Sequence, residues 1–176
     1  ILCNQGDPVA IDVYDQTIAV MSRALLNLDA IVSKAEAYAK ERKIEPTVLV
    51  QARLYPDMLP FVAQIRIATD TAKGAAARLA GTELPSWPDE EASFADVHAR
   101  IRKALDFLAG FKREQFEGSE EKRIELKLGK EQVEFSGREY VLGFVLPNFY
   151  FHVTTAYAIL RHNGVPLGKR DFLGAG

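Results

Sequence analysis

The chain has 176 residues, 48% of them hydrophobic and 26% charged, the composition of one ordinary globular domain with enough apolar material for a real core. A formal charge of −2 and the lack of any basic run remove the electrostatic footprint of a nucleic-acid binder, so no nucleic-acid partner is expected. The single cysteine, Cys3, rules out an internal disulfide and suits a reducing compartment, which makes the cytoplasm the expected location.

Residues 1–10, ILCNQGDPVA, have neither a basic start nor a long apolar run, and read as a leader remnant or disordered N-terminus ahead of one domain over 11–176. From Ile11 the apolar residues Tyr14, Ile18, Met21, Leu25, Leu28, Val32, Ala35 and Ala39 follow in steps of three and four, which predicts one face of a long helix. Asp15, Arg23, Asp29, Lys34 and Glu36 fall on the opposite face, and KERK at 40–43 places cations at the helix end, where they suit the dipole. Pro46 opens a short helical turn. Pro56 should break the chain next, with Asp57 capping a second long helix that carries Pro60 in its first turn and ends at Gly81. Its inward set is Phe61, Ile65, Ala68, Ala72, Ala75 and Leu79, and Asp70 with Lys73 forms an exposed pair on its outside.

The segment GTELPSWPDEEA, with two prolines, predicts a loop. Ser93, with Asp96 three residues on, resembles a capping box for a third helix that buries Phe94, Val97, Ile101, Leu105 and Leu108 and stops at Gly110. The period then changes to two, at Ile124, Leu126 and Leu128 and again at Val133 and Phe135, around Gly129-Lys130, which is a hairpin signal. A fourth helix follows from Arg138 to Asn163, closed by Gly164 and Pro166, and GKRDFLGAG is a tail. Residues 140–160 approach a membrane span in length, but Pro147, Asn148, His152 and two threonines argue for a buried helix and no membrane. The expected fold is all-α, an antiparallel four-helix bundle with a small β-hairpin between the third and fourth helices.

Chemistry is sparser. The three histidines are His98, His152 and His162; the last two lie roughly 15 Å apart along one helix, too far to share an ion. There is no HxxxH pair, HExxH, GxSxG, P-loop or GxGxxG. His152 reads first as a buried histidine hydrogen-bonded to a side chain such as Gln64 or Tyr55, because a buried polar group needs a partner. His162 suits the carbonyls at its helix end, and His98 suits a boundary position.

Two passages, ARLYPDMLPFVAQIRIATDTAKGAAARLAG and LPNFYFHVTTAYAILRHNGVPLGKRDFLG, resemble an uncharacterised bacterial domain-of-unknown-function family related to the DinB/YfiT-like proteins. The resemblance covers nearly the whole chain from about Ile11. It implies a bundle of up-down-down-up order and a homodimer. In the wider superfamily a nickel or zinc ion is typically held by one histidine near the start of the second long helix and two, four residues apart, on the fourth. Some relatives are linked to thiol-dependent transferase or isomerase chemistry. On that pattern Gln64 stands in the first ligand position, His152 in the second and Ala156 in the third. A glutamine carbonyl is a poor partner for a borderline ion, and one imidazole does not hold it against water. The expectation is therefore a DinB-like protein with no cofactor and no complete metal site. It would bind a small molecule in the remnant cleft, lined by Tyr55, Asp57, Gln64 and His152, or act as a dimeric module. His152 would be a general base or a hydrogen-bond donor there. Whether the protein is an enzyme stays open; the alternative is a metal-dependent hydrolase or thiol-dependent transferase of DinB/YfiT type, with nickel or zinc at His152.

Overall fold

A computed structural model describes residues 12–174. Ile11 and Cys3 lie outside the described residues. A single π turn, Asp15–Ala19, runs directly into α1, Val20–Arg42. The stripe that predicts this helix is its buried face: Ile18, Met21, Leu25, Leu28, Val32, Ala35 and Ala39 are all in the core. Lys40 and Arg42 occupy the last turn, and Lys43 ends the helix in the left-handed region at φ 57°. The short α2, Pro46–Val50, starts on its proline and buries Leu49 and Val50.

The next helix, α3, spans Phe61–Ala80 and corrects one expectation, because Pro60 rather than Asp57 is its N-cap. Asp57 is exposed and makes no cap. The physical reason is a chain reversal over 53–60. The Phe61 N–H donates to the Ala52 carbonyl at 2.8 Å, and the Arg53 guanidinium donates to the carbonyl of Met58 at 3.1 Å. The first helical N–H is thus met by a backbone carbonyl, and the reversal rather than the Asp57 carboxylate holds the helix entrance. Gly81, at φ 74°, ends the helix.

No regular structure forms between Thr82 and Ala92. The capping box then opens α4, Phe94–Ala109: the Asp96 N–H donates to Ser93 Oγ at 3.2 Å, and the Ser93 N–H donates to the Asp96 carboxylate at 2.9 Å. Two 3-10 turns, Arg113–Phe116 and Ser119–Glu121, lead to β1, Arg123–Leu128, and β2, Glu131–Ser136. These pair antiparallel, with Ile124 opposite Phe135 and Leu126 opposite Val133. One helical turn, α5 (Gly137–Glu139), a second π turn, Tyr140–Val145, and α6, Leu146–His162, follow without a break.

The expected tail holds a further helix, α7, Lys169–Leu173. It lies on α1, where Asn27 donates to the Phe172 carbonyl at 3.0 Å and Lys34 pairs with Asp171 at 2.5 Å. So short a helix exists only because it is docked.

Among the long helices, α1 packs on α4 and α6, and α3 packs on the same two. The sequential neighbours α1 and α3 are thus each covered by the later pair. Ala68, Ala72, Ala75 and Ala76 of α3 are fully buried, which lets the backbones of its neighbours come close. Among the described residues no helix is long and apolar enough to cross a membrane.

Candidate functional site

The α3–α6 contact brings two of the four sequence-predicted site residues together. Gln64 comes from the first turn of α3, and His152 from the inner face of α6, three residues after Phe149, which is also buried. His152 Nδ1 is 2.7 Å from Gln64 Oε1. The amide of Gln64 can be oriented from its other bond: its Nε2 donates to the Leu59 carbonyl at 3.0 Å, so Oε1 must face the ring. An amide oxygen only accepts, and Nδ1 therefore carries the proton.

That leaves Nε2 with its lone pair. Among the described residues His152 makes no other hydrogen bond, yet no buried side-chain nitrogen or oxygen among them lacks a partner. Nε2 is thus in contact with solvent, although the residue is only 8% exposed. Burial lowers the pKa of His152 below its ordinary value, and the ring is neutral at pH 7. Phe151 lies nearly perpendicular to it, with centroids 5.2 Å apart.

These residues do not fit a transition-metal ion. One imidazole nitrogen is free, the Gln64 oxygen is already accepting from the ring, and buried Ala156 offers no donor one turn further on. Among the described residues no three His, Cys, Asp or Glu side chains converge on a common point.

Tyr55 and Asp57 sit in the reversal before α3. Both are exposed, Tyr55 by 66%, and neither bonds to Gln64 or His152. The same reversal nevertheless supplies the Leu59 carbonyl that orients Gln64, a residue the sequence reading missed; its signal is the proline that follows it and starts the helix. His98 lies at the boundary, with Nδ1 2.5 Å from Asp29, and His162 is exposed in the last turn of α6.

A second polar cluster was also missed. The Asp70–Lys73 bond exists at 2.7 Å, but it is not the exposed pair expected: Lys73 is 6% exposed, its ammonium 4.4 Å from the Trp87 ring. Asp70 also accepts from Arg100, which is 4% exposed and donates to Thr69 Oγ1, the Pro88 carbonyl and Glu91 as well. Arg66 closes the group on Glu91 at 2.6 Å. Burial raises the Glu91 pKa, but its backbone hydrogen bond, Arg66 and Arg100 outweigh that and hold the carboxyl below its ordinary value. The sequence signal is Arg100 itself, which falls on the apolar stripe of α4 between Val97 and Ala104. Every polar direction of Arg100 is engaged, and the cluster fastens the loop carrying Trp87 to α3 and α4.

Residues 13–173 match the model of a family described as a domain of unknown function, DUF1993. Among solved structures, the chain is similar to a DinB family member protein from Shewanella denitrificans, with a TM-score of 0.85, 40% sequence identity and 93% of each chain covered. No curated protein matches.

Proposed function

Because the chain belongs to the DUF1993 family, we propose that it is a metal-free member of the DinB-like group which binds a small ligand at His152. The observation that carries this reading is the solvent-reached Nε2 of an otherwise buried, neutral histidine whose other nitrogen is fixed by Gln64. A ligand O–H or N–H donates to Nε2, and the reversal bearing Tyr55, Asp57 and Leu59 forms the adjoining wall. Among the described residues no carboxylate bonds to the ring, so an imidazolium formed by taking a proton has only the Gln64 amide oxygen to stabilise it. That favours hydrogen-bond acceptance over general-base catalysis, and binding over an enzyme.

In this reading residues 11–176 form one cytoplasmic domain, an up-down-down-up four-helix bundle. The pairing of α1 and α3 each with α4 and α6 supports that order. Homodimerisation through the outer faces of α1 and α6 is supported by Leu26 and Phe151, large apolar side chains left 58% and 59% exposed on those helices. Light scattering at micromolar concentration reads this directly, and a strict monomer overturns it.

Calorimetric titration with zinc and nickel tests the central reading. No stoichiometric binding is expected; micromolar binding that disappears in His152→Ala overturns it. With phenol as a small O–H donor, the His152 ring resonances should move on titration, whereas an unresponsive ring removes Nε2 as the ligand contact.

A further inference from the structure

Two π turns occur among the described residues, Asp15–Ala19 ahead of α1 and Tyr140–Val145 ahead of α6, and one cavity of about 520 Å³ touches both. Gln16 lines it from the first turn, and Val141 and Leu142 from the second. π turns are uncommon and concentrate at functional sites. Two of them, from different segments of chain, on the wall of one cavity single it out. It is separate from His152, because the helix from Leu142 to His152 rises about 15 Å.

The wall divides by chemistry. Val13, Phe116, Val141 and Leu142 make an apolar side. Arg113 is present but already engaged, donating to Asp12 and, at 2.7 Å, to Asp15. Three charged groups remain, Glu117, Glu120 and Arg138, and none has a side-chain partner among the described residues. A purely anionic ligand meets two free carboxylates here, and a purely cationic one meets a free guanidinium. A zwitterion satisfies both.

The backbone holds these opposite charges on adjoining segments. A Cβ at Gly137 would lie 1.8 Å from the Ser119 carbonyl oxygen, so only glycine lets the strand of chain before Arg138 lie against the turn that carries Glu120. Arg138 and Leu142 also line a neighbouring cavity of about 560 Å³ beside Phe135, which extends the apolar side. Volumes of this size suit a small molecule.

We propose that this cavity binds a free α-amino acid with an apolar side chain. Arg138 takes the carboxylate in a charge-assisted bond, Glu117 and Glu120 take the ammonium, and Val13, Phe116 and Leu142 receive the side chain.

The test is calorimetry on the full chain with L-leucine and L-phenylalanine, against 4-methylpentanoate, which lacks the ammonium, and 3-methylbutylamine, which lacks the carboxylate. The amino acids should bind saturably, and each comparator roughly tenfold more weakly. Arg138→Gln and Glu120→Gln, both at exposed positions, should each weaken leucine by a similar factor while circular dichroism stays unchanged. Backbone amide shifts should move around Gln16 and Leu142. No saturable binding of either amino acid overturns the assignment. So do comparators that bind equally well, an affinity unchanged in both variants, or shifts centred on Gln64 and His152.

Discussion

Arg100 and His152 are both polar, both buried, and both set on helices that pack against α3, yet they end in different states. Arg100 meets Thr69 and Asp70 of α3, Glu91 and a backbone carbonyl, so that each side of its guanidinium has a partner. His152 meets Gln64 of the same helix on one nitrogen and solvent on the other. A buried group whose bonds are all made by the protein contributes order; one with a bond left over offers a place for something else to dock. The two residues have comparable burial, and burial alone does not distinguish them.

Substitutions can break this contrast, beginning with the strongest. Arg100→Met leaves Asp70 with Lys73 alone and Glu91 with Arg66 alone, and should cost about 3 kcal/mol, read as a lower urea midpoint. Trp87→Ala removes the ring under Lys73 and its edge contact with Phe107, and should cost about 2 kcal/mol. Amide exchange across 82–92 should quicken at the same time; a loop that stays protected would mean that the ion pairs hold it alone. Gln64→Leu leaves Nδ1 of His152 unpaired at a cost of about 1 to 2 kcal/mol, and should leave the Trp87 cluster untouched.

The smallest effect is the dependence on pH. Burial lowers the His152 pKa, so the unfolded chain takes up its proton first as pH falls. The contribution of the neutral ring is complete above the ordinary histidine value of about 6.5 and is lost as pH falls from there toward the folded value. Denaturant midpoints for the natural chain and for His152→Gln, compared between pH 7 and pH 5, should show a decline that the variant lacks. An identical decline in both would assign it to another group. The carboxylates of Asp15, Asp96, Glu139 and Asp171, whose pKa values are lowered, act at more acid pH and do not obscure that window.

Much of the fold was legible because its causes are local. Ser93 and Asp96 cap α4 within four residues, and the α1 stripe reads straight off the spacing. The start of α3 was not legible, because the bond that decides it runs from Phe61 back to Ala52 and forms only once the chain has reversed. Lys169–Leu173 has too few residues to form a helix by propensity and owes its structure to Asn27 and Lys34 far upstream. At the site, a buried His152 bonded to a side chain such as Gln64 or Tyr55 was legible from the residues; that the partner is Gln64, 88 residues away, is decided by the register of α3 against α6. Tyr55 and Asp57 are near Gln64 in sequence, but the reversal before α3 leaves both exposed. Arg100 was visible as a cation on an apolar stripe; its partners, spread over three segments, were not.

The docking of α7 on α1 also bears on how the chain is made. Asn27 and Arg23 are satisfied by carbonyls 145 and 150 residues further along. At ribosomal speed, roughly 10 to 30 seconds separate the emergence of those partners. Through that interval the long apolar stripe of α1 has neither α6 nor α7 to cover it. Of the long helices that cover α1, α4 is made first, and refolding from denaturant should be slower than that of a helical protein of similar size built from neighbouring contacts.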